Sequence, residues 1–272
     1  ALAWALHQPG IDTVLIGGAR RVGKTRLIHS WIQALLRGKQ AKLLLWDGKN
    51  GLEFARYAGQ PQVTVAGDLR EALAPLVAEV GERERLFRGR GGTSLAEYNA
   101  GAGAKLPILV PVIDEAAFIP DEAGKTIVEL VARCGAFGVH PIFATQRPDA
   151  DNLRGLLRAN LSTRIALPVT SRIESQLILG QSGAEKLTKT PGRLLVAWRA
   201  RLIEAQAFTF DLPAAEQLTP HASIAQLSDD ERHLVAIAVR DCGGIFKIRD
   251  LTGKSGISKD TVLDLAARWE LS

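Results

Sequence analysis

Gly18-Ala19-Arg20-Arg21-Val22-Gly23-Lys24-Thr25 fits the spacing GxxxxGK[ST], between an apolar run ending at Ile16 and an amphipathic stretch starting at Lys24. Each residue type has a task in phosphate chemistry. Glycines let the backbone curl until its N–H groups face phosphate oxygens, and a helix start adds the positive end of its dipole. Lys24 would reach the β- and γ-phosphates, and the Thr25 hydroxyl would ligate Mg²⁺. Residues Gly18 through Arg26 are therefore the expected nucleotide cradle. The bland alternative is a glycine-rich turn before a helix.

The run Ile108-Leu-Val-Pro-Val-Ile113 ends in Asp114-Glu115. Two carboxylates at the tip of a buried strand suit a Walker B pair. Asp114 would hold Mg²⁺ through water, and Glu115 would polarise the attacking water as general base. An acidic pair opening an ordinary loop is the competing use. Gln146, after Phe143-Ala-Thr145, would project toward the nucleotide, because parallel strands carry ligands at their carboxyl ends.

Such residues need a sheet to bring them together. Strand candidates run Thr13–Ile16, Leu43–Trp46, Gln62–Val65, Ile108–Ile113, Pro141–Ala144, Arg164–Val169, Arg193–Ala197 and Ile203–Phe208. Between them lie helical patterns at Lys24–Leu36, Leu69–Phe87 and Glu122–Ala136. This alternation predicts an α/β fold with a mostly parallel sheet flanked by helices, a P-loop NTPase of RecA-like type. Pro107 and Pro111 remove ladder donors, which predicts an edge irregularity or a strand shortened at its start. Arg88–Thr93 and Asn99–Lys105 are rich in Gly and Ala and read as exposed, flexible loops.

The chain divides into a motor domain, 1–212, a linker, 213–226, and a small C-terminal domain, 227–272. In the last, Ser228 and Glu231 form a capping box, Gly243-Gly244 a turn, and Ser258 the N-cap of a final helix. Val262, Leu265, Ala266 and Trp269 share one face of that helix. The pattern is that of a winged helix or helix-turn-helix.

Thirty-four basic against twenty-nine acidic residues give a net charge of +5 in a 272-residue chain. That permits a nucleic-acid partner without requiring one. Two cysteines, Cys134 and Cys242, exclude a disulfide scaffold or a cysteine-rich zinc site and suit a reducing cytosol. The five histidines have no metal-ligand spacing with Cys or carboxylates. No apolar run reaches the ~18–20 residues of a membrane span, so no membrane insertion by this chain is expected. Methionine is absent even at position 1. Such a chain begins inside a longer protein, or its modified methionines are missing from the written sequence.

These residues resemble the motor domain of the FtsK/SpoIIIE DNA translocases, within the FtsK–HerA group of P-loop ATPases. Asp47-Gly-Lys49 resembles the family's Asp-Pro-Lys, with Gly48 in place of Pro. Glu82-Arg-Glu-Arg-Leu86 and Ser94-Leu-Ala-Glu-Tyr98-Asn99 resemble the segment before Walker B. Gly138-Val-His140 through Gln146-Arg-Pro148 is the most specific stretch. It is followed by Leu156-Leu-Arg158-Ala-Asn160, Thr163-Arg164-Ile165-Ala166 and Gly183-Ala-Glu185-Lys186-Leu187.

The resemblance implies a homo-oligomeric ring, a hexamer, that hydrolyses ATP with Mg²⁺ between subunits and pulls double-stranded DNA through its pore. It supports Lys24, Thr25, Asp114, Glu115 and Gln146 in the roles above. It also implies a cytoplasmic protein of bacterial, phage or plasmid origin. One departure concerns the arginine finger, which relatives place eleven residues before the glutamine. Here that position is Gly135, and the nearest arginine is Arg133. Either Arg133 substitutes, or another residue does, or a position is missing from the written sequence; otherwise the motor is slow, and Arg133 is a plain solvated helix charge. A finger supplied in trans is worth ~10³–10⁵ in rate.

Arg154 and Arg158 are candidates for DNA phosphate contact, with surface solubility as their alternative use. In the terminal domain, Lys259, Thr261 and Arg268 lie off the apolar face and could reach a groove. Seven basic against eight acidic residues from Ser228 to Ser272 leave it at −1, which also suits a protein-interaction module. A nucleotide-dependent DNA-binding or regulatory protein with weak ATPase activity is the main alternative function. A P-loop kinase or small-molecule ATPase is a third.

Overall fold

The computed structural model describes residues 12–38, 41–49, 53–101, 103, 105–146, 161–198, 201–207, 256–258 and 260–261. All eight expected strands form, with ends that coincide or shift by at most three residues. They are β1 (Val14–Gly17), β2 (Ala41–Asp47), β3 (Val63–Ala66), β4 (Ile108–Asp114), β5 (Ile142–Thr145), β6 (Thr163–Ala166), β7 (Arg193–Trp198) and β8 (Arg201–Gln206). The helices are α1 (Lys24–Gly38), α2 (Leu69–Gly89), α3 (Leu95–Gly101), α4 (Asp121–Phe137) and α5 (Arg172–Leu179).

The strands form one sheet in the order β3-β2-β4-β5-β1-β6-β7-β8. Pairing is parallel from β3 through β6, and β7 and β8 add an antiparallel hairpin. Successive side chains of a strand point to opposite faces, and the core divides accordingly. Val14 and Ile16 of β1, with Val110 and Val112 of β4, pack under Leu27, Ile28, Ile32 and Leu35 of α1. Leu15, Ile113 and Phe143 face the other way, onto Leu69, Leu73 and Leu76 of α2, Ile127 and Leu130 of α4, and Ile178 of α5. Helices thus cover both faces, and this is why β4 is buried along its whole length.

The proline expectation is corrected. β4 is central and starts directly after Pro107, and it pairs with β2 over seven consecutive residues. The irregularity lies on its other side. Leu109 donates to Gly138 O there, so Pro111, two residues on, lacks its N–H on the β5 side. The ladder to β5 accordingly reduces to an isolated Leu109–Val139 bridge and the pairs Val112–Ile142 and Ile113–Phe143.

The two loop expectations need correction at their starts, which are helical. Arg88 and Gly89 finish α2, and Asn99 to Gly101 finish α3. The Asn99 amide exchanges two hydrogen bonds with the Leu106 backbone, both 2.9 Å, and so closes the link to β4. Linker 213–226 and most of 227–272 lie outside the described residues. Within the latter, Ser258 Oγ accepts the Thr261 N–H at 3.1 Å, the capping bond read for that position.

Candidate functional site

The register brings the chemistry to one edge of the sheet. Gly17 of β1 stands beside Thr145 of β5, and Asp114 of β4 stands beside Asp47 of β2. Because β5 lies between β1 and β4, Thr145 and Gln146 separate the P-loop from the two carboxylates.

The P-loop takes its shape from backbone that side chains resist. Gly23 has φ +101°, and a Cβ there would come within 2.9 Å of Gly192 N. Gly192 donates to Val22 O at 2.9 Å and accepts from Ala207 N, so the turn before β7 braces the loop from outside. Arg21 holds a left-handed φ of 64°, a strained setting for a non-glycine residue that surrounding contacts must maintain. Ala19 lines both clefts of the site, and its N–H donates to Pro168 O, which ties the loop to the segment after β6. Arg20, Arg21 and Arg26 are exposed, whereas Lys24 is buried.

Lys24 Nζ lies 3.0 Å from Asp114 Oδ1 and 3.9 Å from Glu115 Oε2. Glu115 follows β4 in the left-handed region, φ 59° and ψ 64°. Its Oε1 accepts the Gln146 N–H at 2.9 Å and the Thr145 hydroxyl at 3.2 Å. Its Oε2 accepts Lys49 Nζ at 2.7 Å. Burial opposes the charge of Glu115, but the bonds from Lys49 and Gln146 and the nearby Lys24 outweigh it. They hold the carboxyl below its ordinary range.

Arg20, Lys49, Glu115, Phe118, Gln146 and Glu174 line a cleft of about 470 Å³. An adjoining cleft is lined by Arg21, Lys24, Thr25, Arg26, Gln146 and Pro191. A magnesium nucleotide fits this donor set. Mg²⁺ takes hard oxygens, binds through one or two carboxylates plus phosphates, and keeps several waters. Thr25, which lines the adjoining cleft with Lys24, and Asp114, which Lys24 contacts, would supply such oxygens. Among the described residues, no cluster of three or more His, Cys, Asp or Glu could hold a metal by itself.

Lys24, Thr25, Asp114, Glu115 and Gln146 therefore converge. Arg133 does not join them. It lies on α4, paired with Glu84 of α2 and placed over the Phe137 ring at 5.6 Å. Arg154, Arg158, Lys259 and Arg268 lie outside the described residues. Sequence reasoning gave no role to Lys49, Thr145 or Pro191. Lys49 carried a signal, a lysine just past a strand end, but its partner is 66 positions away.

Known proteins resemble this chain in sequence and in fold. A profile of the FtsK/SpoIIIE family matches residues 5–207. The DNA translocase FtsK of Pseudomonas aeruginosa is 32% identical over an alignment 276 positions long, which covers 88% of this chain and 32% of that protein. The DNA translocase SftA of Bacillus subtilis is 36% identical, over 64% of this chain and 20% of its own length. The chain thus spans a third or less of these curated relatives. Among solved structures, the pCW3 conjugation coupling protein TcpA, in a monomer form with ATPγS, superposes with a TM-score of 0.68 at 28% identity. That match covers 74% of this chain and 61% of TcpA. The cytoplasmic domain of the type VII secretion ATPase EccC from Thermomonospora curvata gives 0.61 at 27% identity, over 73% and 25% of the two chains.

Proposed function

This chain belongs to the FtsK/SpoIIIE family, and from that premise we propose that it is an ATPase that moves double-stranded DNA. The observation that carries the reading is the convergence of Lys24, Asp114, Glu115 and Gln146 at one strand edge. Lys24 and the P-loop backbone bind the β- and γ-phosphates of ATP. Asp114 and Thr25 hold Mg²⁺, which neutralises charge on the phosphates. Glu115 orients and deprotonates the attacking water, and Gln146 sits where a γ-phosphate can be sensed.

The named translocases among the relatives support the DNA substrate. The motor works as a homo-oligomeric ring, a hexamer, in the cytoplasm where ATP and duplex DNA are found. Among the described residues no helix is long and apolar enough to cross a membrane. Arg133 completes a neighbour's site in this reading, and Arg154 and Arg158 touch DNA phosphates. Residues 227–272 form a winged-helix module in which Lys259, Thr261 and Arg268 approach a groove.

The test is steady-state ATP hydrolysis with Mg²⁺, with and without long linear duplex DNA. Strong stimulation by DNA, abolished in Lys24→Ala, is expected; unchanged turnover in Lys24→Ala sinks the P-loop assignment. A second reading rests on the intrachain Arg133–Glu84 pair. A chain without a free finger would be a nucleotide-dependent binding or regulatory protein, with negligible turnover under both conditions.

A further inference from the structure

We propose that Lys49 is a positioning residue that aims the Glu115 carboxylate at the attacking water. This rests on the hydrolytic reading of Glu115 given above. A carboxylate offers about four lone-pair sites. In Glu115 three are taken: two on Oε1, by Thr145 Oγ1 and Gln146 N–H, and one on Oε2, by Lys49 Nζ. Lys24 Nζ, at 3.9 Å, is too far to take the fourth. Among the described residues, one acceptor site on Oε2 is therefore left in a carboxylate that lines the cleft beside Gln146. Three donors from two different strand ends determine where that site points.

Lys49 is itself held for this task. Its N–H donates to Asp47 Oδ1 at 3.0 Å, which closes a tight turn at the end of β2. The neighbouring Gly48 N–H donates to Asp114 O at 3.1 Å, a bond no proline could make at this position. A Cβ on Gly48 would lie 2.9 Å from Phe118 Cβ and 3.1 Å from Glu115 O, so glycine lets the turn close onto the Walker B segment. The Lys49 side chain is 40% exposed and Glu115 4%. The ammonium thus stands at the cleft mouth while the carboxylate it orients is buried. Glu115 also holds a left-handed backbone conformation, which persists where its surroundings over-determine it. The Lys49 bond is one of the contacts that do so.

The experiment compares Lys49→Met, Lys49→Arg, Glu115→Gln and the unaltered chain by kcat and KM for DNA-stimulated hydrolysis. Thermal melting and equilibrium binding of a fluorescent ATP analogue accompany the kinetics. Met preserves length and removes charge, and a base misplaced by about 1 Å loses on the order of 10²-fold. Lys49→Met is expected to lower kcat at least tenfold, with KM, analogue affinity and melting temperature near those of the unaltered chain. Lys49→Arg is expected to restore most of the loss. A kcat within twofold of the unaltered chain overturns the proposal, and so does a fall explained by lost folding or binding. A raised kcat overturns it too, because Lys49 would then restrain the base. Full turnover in Glu115→Gln is a separate failure: the base assignment falls, and the role of Lys49 with it.

Discussion

Lys24 is claimed by two partners. It lies 3.0 Å from Asp114 with both groups buried, yet phosphate binding requires it to face the P-loop cradle. In the proposed reading Asp114 would help hold a divalent cation, which would supply replacement charge, and Lys24 would then be free to neutralise phosphate oxygens. The exchange leaves no buried charge unpaired at either end, which matters because an unpaired one costs several kcal/mol. As the proposed base Glu115 has a different problem, since a carboxylate held below its ordinary range is a weak base and would have to succeed by placement. Glu115→Gln is expected to bind ATP but hydrolyse it about 10²- to 10⁴-fold more slowly. Phosphate release alongside binding of a fluorescent ATP analogue checks this, and normal turnover would move the base elsewhere.

Two elements reach the site through buried polar side chains that no local pattern announced. Arg83 of α2 is fully buried. It pairs with Glu79 and donates to Phe137 O at the end of α4 and to Pro107 O ahead of β4, both at 2.7 Å. It therefore sets the approach of the strand that carries Asp114. Arg83→Ala leaves two carbonyls unmatched and a cavity, and is expected to cost about 3 kcal/mol or more. Urea denaturation measures this, and a loss under 1 kcal/mol would refute it. On the opposite face, His29 of α1 contacts the Tyr57 hydroxyl at 2.8 Å and Glu53 at 2.7 Å, which ties the P-loop helix to the link between β2 and β3. Burial pushes the Tyr57 phenol up to about 12. The unfolded phenol ionises near 10, so the folded chain holds the proton longer. The resulting stability is complete below about pH 10 and is lost as pH rises toward 12. Absorbance titration of a Tyr98→Phe variant, which leaves Tyr57 as the remaining tyrosine, should show this late ionisation; a midpoint near 10 would contradict it.

At the scale of the whole molecule, the open question is whether one chain contains a complete site. The cleft brings together base, lysine and magnesium ligands, while Arg133 pairs with Glu84 at the α2–α4 contact. In a ring, a site on one subunit would take its arginine from the next. Two variants inactive for different reasons, Glu115→Gln and Arg133→Ala, are therefore expected to regain part of their turnover when mixed. A mixed interface can pair an intact base with an intact arginine. Turnover of the mixture that never exceeds the sum of the separate variants would exclude Arg133 as the shared residue.

Much of this was legible in the residues themselves. The P-loop, the Asp114-Glu115 pair and all eight strands follow from local spacing and apolar runs, because strand and helix formation and phosphate-binding turns are short-range events. Tertiary structure decided what depends on distant partners. The missing N–H of Pro111 was visible in the sequence, but the side of β4 it would weaken emerged only once β5 lay there. Lys49 could be read as a lysine after a strand, but its bond to Glu115 needed β2 and β4 paired in register. The pairing of Arg133 with Glu84 likewise emerged only once α2 and α4 had packed together. Side-chain pairing across the fold follows from strand order and helix packing, and neither is written in a local run of residues.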